Sequence, residues 1–229
     1  MTPIEIRRLG RVPYADAWSL QNRLADERAA NPDSPDMLLL LEHPPTYTLG
    51  SAAKAEHILL APDELAARGI EVVRTDRGGD VTYHGDGQLV GYPIMQLAKP
   101  DAPGGLRADV VGYVRQLERV IIATLADYDV RAYPIAGLTG VWVDTPQGEC
   151  KIAAIGVRVN VKLVTKHGFA LNVNTDLSYF DGIVPCGIRD KGVTSLAAVL
   201  GREVDIEDVT ARLVAYFGAV FRSPLYFPT

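Results

Sequence analysis

Residues 140–160, GVWVDTPQGECKIAAIGVRVN, contain two apolar runs with a short polar segment between them. The runs cover residues 140–144 and 151–160, and Thr145-Pro146-Gln147-Gly148 separates them. Apolar runs on either side of a segment with Pro and Gly are typical of two antiparallel strands joined by a turn. We therefore predict a β-hairpin here, and with it a sheet that contains antiparallel pairs.

The sequence on either side of this hairpin predicts further strands and helices. Strands are expected where apolar residues run continuously, and helices where they recur every three or four positions. These patterns predict strands at residues 37–42, 70–75, 89–95 and 169–173, helices at 14–30, 63–68, 110–125 and 205–216, and one more helix capped by Thr194 or Ser195. Hairpin connections outnumber crossover connections, so the predicted fold class is α/β (or α+β) with a mixed, largely antiparallel sheet flanked by helices.

Length and composition indicate one globular domain. The chain has 229 residues, of which 48% are hydrophobic and 22% charged. No stretch rich in Ser, Gly or charge divides it. We therefore predict a single domain over residues 1–229 with a full core.

Charge and the first residues predict the location and exclude some partners. The net charge of -5 disfavours nucleic-acid binding, because phosphate binding needs clustered Lys and Arg. No long apolar segment follows the first eight residues, MTPIEIRR, which argues against a signal peptide and a membrane anchor. We expect a cytoplasmic protein that binds no nucleic acid and no membrane. In a reducing cytoplasm Cys150 and Cys186 are expected to be free thiols.

The densest group of polar residues is the glycine-rich segment at residues 77–88, RGGDVTYHGDGQ. Glycines let a backbone approach a ligand closely and present N–H groups to it. The segment lacks Gly-Lys-Ser/Thr and does not open a helix with Gly-x-Gly-x-x-Gly, so it matches neither phosphate-binding nor dinucleotide-binding loops. The alternatives are a substrate-binding loop between two apolar strands and a mobile surface loop.

Cys186 lies in Ile183-Val184-Pro185-Cys186-Gly187-Ile188, where Pro and Gly disfavour regular structure. A cysteine in a tight turn can present its sulfur and nearby N–H groups to a substrate, as a nucleophile must. The alternative is a small buried apolar side chain, which is the usual role of a free cysteine. Cys150, at the start of a predicted strand, fits that alternative better.

Lys151 is an unusual residue in the apolar run Lys-Ile-Ala-Ala-Ile-Gly-Val-Arg-Val. A lysine that loses its proton near neutral pH can act as a general base. Strand alternation sends Cys150 and Lys151 to opposite faces, so Cys186 is the better partner for this lysine. His84 and His167 are alternative bases, because thiols are more commonly paired with histidine.

Several segments, in order, resemble the LipB family of lipoyl(octanoyl) transferases, which is grouped with the biotin and lipoate protein ligases. The resemblance extends from about residue 40 to residue 200. It is carried by Arg77-Gly78-Gly79, Thr82-Tyr83-His84, Gly87-Gln88, Tyr92, Lys151-Ile-Ala-Ala-Ile-Gly, His167-Gly-Phe-Ala-Leu-Asn and Pro185-Cys186-Gly187-Ile188. One departure is Asp86, where the family commonly has proline, and it leaves the shape of that loop open.

The resemblance implies the ligase catalytic fold and a role for particular residues. Cys186 is expected to form a thioester with the octanoyl group, and Lys151 to activate it. The acyl-binding residues are expected to be Arg77, Gly78, Gly79, Asp80, Val81, Thr82, Tyr83, His84, Ala154, Ile155, Gly156, Gly168, Phe169 and Ala170.

The implied partners are octanoyl-acyl carrier protein as donor, and lipoyl domains of 2-oxoacid dehydrogenase complexes and the glycine cleavage H protein as acceptors. Neither ATP nor a metal cofactor is expected, because transfer from a thioester to an amine runs downhill. Carrier proteins are usually acidic, so Lys162, Lys166, Arg189 and Lys191 are candidates for a local basic patch. Three alternatives remain: an ATP-dependent ligase on the same fold, a papain-like hydrolase that pairs Cys186 with a histidine, and a silent lipoyl-domain-binding module.

Overall fold

A computed structural model describes residues 3–31, 33–98, 109–184 and 191–228. Cys186 and Arg189, both named above from sequence, lie outside the described residues. No helix in the described ranges is both long and apolar enough to cross a membrane.

The described residues form twelve strands and five α-helices. The strands are β1 (Ile4–Arg11), β2 (Asp36–Glu42), β3 (Thr46–Leu49), β4 (Glu71–Arg74), β5 (Val81–His84), β6 (Gln88–Ile94), β7 (Ala132–Ile135), β8 (Leu138–Thr145), β9 (Gly148–Val159), β10 (Thr165–Asn172), β11 (Gly192–Val193) and β12 (Leu225–Tyr226). The helices are α1 (Tyr14–Ala30), α2 (Pro62–Ala67), α3 (Val110–Ala126), α4 (Leu196–Leu200) and α5 (Ile206–Phe221), and two 3₁₀ turns cover Ala55–His57 and Leu177–Gly182.

Most strands belong to one large mixed sheet. Its order is β12-β1-β2-β6-β10-β9-β8-β7, and β11 pairs with β9 beside that path. The pairs β1-β2, β1-β12 and β9-β11 are parallel, and the remaining pairs of this sheet are antiparallel. The predicted fold class, a mixed and largely antiparallel sheet, is therefore confirmed. The predicted hairpin is β8-β9, with Thr145 paired to Gly148.

Helices cover both faces of this sheet because successive strand residues point to opposite sides. On one face α3 and α5 pack against Leu38 and Leu171 in the larger core. On the other face α1 packs against Leu39 and Ala170. Asp109 begins α3 by accepting a hydrogen bond from the Gly112 amide at 2.7 Å, a typical helix cap.

A second, three-stranded sheet has the order β4-β3-β5. Its small core contains Tyr47, Ile70, Val81, Tyr83 and Ile183. Strand β5 lies within the glycine-rich segment at residues 77–88 that the sequence pattern placed in a loop, so that part of the prediction is wrong. The glycines on both sides of Val81–His84 obscure a strand of only four residues.

Candidate active site

One cavity of about 520 Å³ brings the sequence-predicted segments together. This volume falls within the range of about 300–1,000 Å³ that is common for small-molecule sites. Of the fourteen predicted acyl-binding residues, all except Tyr83 line the cavity, and so does Lys151. The other lining residues include Tyr14, Gln88, Tyr92, Val114, Leu138, Val157, His167, Asn172, Phe180 and Val193. The wall therefore has both apolar and polar residues, and most of its surface is apolar.

Tyr83 faces away from the cavity, in the small core of the three-stranded sheet. Its ring stacks on Tyr179, with 4.8 Å between ring centroids and 8° between planes. Burial raises the pKa of the Tyr83 hydroxyl. Tyr83 thus packs on the side of the loop that faces away from the cavity.

The glycine-rich loop is tied down through its carbonyl groups. The amides of Gly50, Ser51 and Ala52 donate to the carbonyls of Asp80 (3.2 Å), Arg77 (2.9 Å) and Gly79 (3.0 Å) respectively. A Cβ at Gly50 would lie 2.3 Å from the Gly79 oxygen, so this approach requires glycine. These contacts indicate a fixed loop and not a mobile one.

The Arg77 side chain organises this loop. Its Nε donates to Thr48 Oγ1 at 3.0 Å, and its Nη2 donates to the Thr48 carbonyl at 2.6 Å and the Asp80 carbonyl at 2.7 Å. The guanidinium is buried and these donors are engaged within the protein. Arg77 therefore lines the cavity mainly by fixing the shape of its wall.

Strand β9 has two different neighbours along one edge, first strand β8 and then the glycine-rich loop. Its pairing with β8 extends from Gly148 to Ala153. Further along, the amide of Gly78 in the glycine-rich loop donates to the Val157 carbonyl at 3.1 Å. A Cβ at Gly156 would lie 2.8 Å from the Gly78 oxygen, so only glycine allows the loop to approach the strand here. The cavity lies at the point along β9 where pairing with β8 ends and contact with this loop begins.

Gly168 has no space for a side chain. A Cβ there would lie 2.1 Å from the Gly91 oxygen and 2.7 Å from Pro93 Cδ, both in the neighbouring strand β6. A larger residue would therefore separate β6 from β10 before it narrowed the cavity. A larger residue at position 168 is therefore a poor probe of acyl binding, and Ala154, which also lines the cavity, is a better position for a substitution.

Lys151 is directed toward this wall by a β-bulge. Val141 pairs with Ala153 whereas Trp142 pairs with Lys151, so Ile152 is an extra residue in β9. Ile152 and Ala153 both pack in the larger core. Because of this bulge Lys151 lies on the opposite face from Ala153 and shares a face with Ala154.

The Lys151 side chain extends between two residues of β8. Its Nζ lies 4.8 Å from the centroid of the Trp142 ring. A Cβ at Gly140 would lie 3.3 Å from Lys151 Cε, so glycine leaves the lysine stem its space. The lysine is thereby held in a defined place on the cavity wall.

Cys150 lies on the other face of β9 from Lys151. It is a buried free thiol, and its Sγ lies 3.4 Å from Thr145 Oγ1. The sequence predicted a buried, structural role for this cysteine, and its burial agrees with that. Cys150 does not line the cavity.

The chain is fixed on both sides of residues 185–190. Before them, the Val184 amide donates to the His57 carbonyl at 2.9 Å, and the His57 ring lies 2.8 Å from Asp80 Oδ1 in the cavity wall. After them, β11 pairs with β9 at Lys151. His57 was not singled out from the sequence, since an isolated histidine in a polar segment gives no signal there.

His84 is held as a neutral ring by an amide chain. Its Nδ1 donates to Gln88 Oε1 at 2.8 Å, because the Gln88 amide nitrogen itself donates to Asn172 Oδ1 at 2.8 Å. The Asn172 amide in turn donates to the Thr194 carbonyl at 3.0 Å. Burial lowers the pKa of His84 well below its ordinary 6.5. This leaves Nε2 as the acceptor nitrogen of the ring.

His167 has a left-handed backbone (φ 57°), which is uncommon for a residue with a side chain. Its Nε2 lies 2.7 Å from Asp76 Oδ1, and its amide donates to Gln21 Oε1 at 2.7 Å. Burial lowers the pKa of His167 to about 4, despite the nearby carboxylate. Burial alone would raise the pKa of Asp76, but hydrogen bonds from His167 and Lys166 hold it at about 2.

His43 is hydrogen-bonded to a residue of the cavity wall but does not line the cavity itself. Composition and spacing did not indicate this histidine. Its Nδ1 donates to the Val12 carbonyl at 2.7 Å, and its Nε2 accepts from the Tyr92 hydroxyl at 2.7 Å. Burial lowers the pKa of His43 to about 4. The histidines at positions 43, 84 and 167 are therefore neutral at physiological pH.

These neutral histidines predict acid sensitivity. The rings of His43 and His167 take up protons near pH 6.5 when unfolded but near pH 4 when folded, so the unfolded state binds more protons between these values. The free energy of unfolding should therefore fall as the pH is lowered from 6.5 to 4, by up to about 3 kcal/mol for each ring. Urea denaturation at pH 7, 5.5 and 4.5 measures this fall.

A His43→Gln variant provides the control for this prediction. It removes one of the two rings, so its stability should fall less over the same pH interval than that of the wild type. Equal stability of the wild type at pH 7 and 4.5 would contradict the assignment of neutral buried rings.

Two members of the predicted basic patch have anionic partners. Lys166 Nζ lies 2.9 Å from Asp76 Oδ2, and Lys191 pairs with Glu149. Lys162 is exposed. The positive charge that these lysines can offer to an acidic partner is thus smaller than their number suggests.

Comparison with known proteins identifies the family. The model of the lipoyl protein ligase A/B catalytic domain matches residues 13–218. The octanoyltransferase of Chloroflexus aurantiacus (strain ATCC 29366 / DSM 635 / J-10-fl) is 51% identical over 221 residues, which are 96% of this chain and 95% of the relative.

Solved structures have the same fold. Lipoate-protein ligase A bound with ATP has a TM-score of 0.74 at 18% identity, over 100% of this chain and 90% of that one. A bi-partite lipoate protein ligase from Thermoplasma acidophilum has a TM-score of 0.68 at 19% identity, over 100% and 87%.

The family match covers most of the chain, and half of the residues are identical to those of a full-length octanoyltransferase. The family resemblance noted from the sequence motifs is confirmed. The chain belongs to the lipoyl protein ligase A/B catalytic domain family and, within it, to the octanoyltransferases, which are acyltransferases of lipoate biosynthesis.

Proposed function

We propose that this enzyme transfers an octanoyl group from acyl carrier protein to a lysine of a lipoyl domain through a thioester on Cys186. The observation that carries the proposal is the cavity in which Lys151 shares a wall with the predicted acyl-binding segments. Cys186 follows Val184 by two positions. The Val184 amide donates to the His57 carbonyl, and the His57 ring contacts Asp80 in the cavity wall.

In the first step Lys151 takes the proton of the Cys186 thiol, and the thiolate attacks the carbonyl carbon of the octanoyl thioester. The bond between that carbon and the carrier sulfur breaks. The carrier thiolate then receives a proton from the Lys151 ammonium and leaves as a thiol. An ordinary thiol has a pKa of about 8.5 and is only a few per cent thiolate at pH 7, so a nearby base has a clear role.

In the second step the amine of the acceptor lysine attacks the carbonyl carbon of the Cys186 thioester. The carbon–sulfur bond breaks as the amide forms, and the amine gives up one proton. Lys151 passes this proton to the Cys186 sulfur, which restores the thiol. The acceptor amine must be neutral to attack, and Lys151 is the described base on the cavity wall that fits this task.

We assign the partners by this chemistry. The donor is octanoyl-acyl carrier protein, and the acceptors are lipoyl domains of 2-oxoacid dehydrogenase complexes and the glycine cleavage H protein. The two half-reactions need no ATP, because the thioester already carries an activated acyl group.

Intact-mass spectrometry tests the proposal. The wild type incubated with octanoyl carrier protein, without ATP, should gain a single octanoyl group, and peptide mapping should place it on Cys186. Addition of a lipoyl domain should remove the group from the enzyme and add it to one lysine of that domain. No adduct on the enzyme, or transfer only in the presence of octanoate and ATP, would overturn the proposal in favour of a ligase.

The acyl pocket makes a separate prediction. Ala154 is half-buried on the cavity wall, so Ala154→Leu should fill part of the space for the acyl chain. Each buried methylene contributes about 0.8 kcal/mol, so losing space for two of them should reduce octanoyl transfer on the order of tenfold. Butanoyl transfer should change much less, because the shorter chain does not need that space.

The ratio of octanoyl to butanoyl transfer rates, measured in single turnovers, checks this prediction. Ala66→Leu, on the exposed helix α2, is a matched control and should leave the ratio unchanged. An equal loss of both rates in Ala154→Leu would mean that this wall shapes the reacting centre and not the acyl pocket.

A further inference from the structure

Trp142 places an aromatic face against the side-chain nitrogen of Lys151. The two residues are directly paired across β8 and β9. Trp142 is only 1% exposed, and Lys151 Nζ lies 4.8 Å from its ring centroid. A cation within about 6 Å of a tryptophan centroid is attracted by the negative face of the ring, and more strongly when water is excluded.

A second lysine lies over the same ring. Lys191 Nζ is 5.7 Å from the Trp142 centroid. Lys191 also pairs with the carboxylate of Glu149, which offsets its positive charge. The ring therefore lies near two lysine nitrogens. Lys191 is paired with a carboxylate, and Lys151 is the residue that the proposed reaction uses.

The indole nitrogen does not explain why a tryptophan is here. Trp142 Nε1 is buried and has no hydrogen-bond partner among the described residues. A buried N–H without a partner is unfavourable. A leucine or phenylalanine would fill a core position without that cost, so the tryptophan offers more than packing.

The lysine stem is confined as well. Gly140 lies on the other side of this stem, and its amide lies 3.3 Å from Glu118 Oε1 on α3. The backbone beside the lysine is thus fixed by a buried carboxylate. With the stem confined by Gly140, contact with the Trp142 ring contributes to the placement of the Lys151 amine on the cavity wall.

We propose that Trp142 is a positioning residue, which holds Lys151 on the cavity wall and stabilises the ammonium formed when Lys151 takes the thiol proton. The inference rests on the proposed function, because that function gives Lys151 its role. The proton moves from sulfur to Nζ, and the ring lowers the energy of the charged product without exchanging any atom. Trp142 acts only through the lysine.

Tryptophan fluorescence tests the contact without substrate. The chain has two tryptophans, so Trp18→Phe leaves Trp142 as the single emitter. In that background Lys151→Met removes the amine from the ring face and should change both the intensity and the emission maximum at pH 7. Lys54→Met, an exposed lysine paired with Glu56, is the control and should change neither. Identical spectra for the Lys151→Met variant and its parent would overturn the contact.

Transfer kinetics test the role. Trp142→Leu removes the ring face and should lower kcat on the order of tenfold, as expected for losing a desolvated cation–ring contact. The KM for octanoyl carrier protein should stay unchanged. Trp142→Phe keeps a ring and should restore most of the lost kcat. Equal kcat values for the two variants, or a rise in KM alone, would overturn the role.

The two proposals can fail separately. An octanoyl adduct on wild-type Cys186 together with equal Trp142→Phe and Trp142→Leu rates would overturn only the inference. Absence of the adduct would overturn the proposed function, and with it the positioning role. Should Trp142→Leu fail to fold, the fluorescence comparison in the Lys151→Met variant, whose core is intact, still decides the contact.

Discussion

Replacement of Cys186 by serine should abolish octanoyl transfer, with a loss of at least about 10³-fold in kcat. Serine has nearly the size of cysteine, but its hydroxyl is a far weaker nucleophile than a thiolate at neutral pH, and an ester would replace the thioester. Transfer to a lipoyl domain, followed by mass spectrometry of that domain, measures the loss.

Cys150→Ser is the matched control, since it makes the same atomic change in the other cysteine. Cys150 is buried on the face of β9 away from Lys151, and its sulfur is next to Thr145 Oγ1, so a hydroxyl can be accommodated there. This variant should keep most of the activity. Substantial transfer by Cys186→Ser, or loss of transfer only in Cys150→Ser, would contradict the assignment of the nucleophile.

Replacement of Lys151 by methionine should lower kcat by about 10²- to 10⁴-fold, the usual contribution of a general acid or base. Methionine keeps most of the stem between Gly140 and Trp142 but removes the amine. Lys54→Met, at an exposed lysine that does not line the cavity, should leave kcat near the wild-type value.

Alkylation of the thiol separates this role from a structural one. In a Cys150→Ser background, the reaction of Cys186 with iodoacetamide should begin at a lower pH with Lys151 present than in Lys151→Met, because the amine stabilises the thiolate. Identical pH profiles with and without the amine would mean that Lys151 does not act on Cys186.

Elements with a strong local pattern could be predicted from the sequence. Helix α1 has the predicted bounds, 14–30, and the β8-β9 turn is at Thr145-Pro146-Gln147-Gly148 as expected. Ser195 caps α4 by accepting from the Ala198 amide at 3.1 Å, and was one of the two caps predicted. In these places a local signal and the tertiary structure agree.

Elements that depend on distant partners were missed. Strand β1 carries three arginines and a glutamate within IEIRRLGR, so its apolar pattern is weak. It is stabilised by parallel pairing with β2 and with β12 near the other end of the chain. Neither partner can be inferred from the sequence around β1. The four-residue strand β5 was hidden for a related reason, because its partner β3 lies more than thirty residues earlier.

The sequence indicated which residues line the cavity better than it indicated how those residues are arranged. Motif resemblance indicated Lys151 and three segments that the structure places around one cavity. Simple alternation would assign Lys151 to the same face as Ala153, and only the extra residue Ile152 reverses this. The outward position of Tyr83 and the engagement of Arg77 by Thr48 also depend on contacts far apart in sequence.

Because the buried histidines are neutral, binding of an acyl chain and encounter with its carrier protein should depend differently on salt. The rings of His84 and His167 line the cavity without charge at neutral pH, and an alkyl chain carries none, so contacts between these rings and an acyl chain do not depend on ionic strength. In the proposed reaction the donor is an acidic carrier protein, and its encounter with this net negative chain depends on charge and is screened over a Debye length of about 8 Å at physiological salt. Under that proposal, salt changes how often the donor arrives, and packing selects the length of the acyl chain.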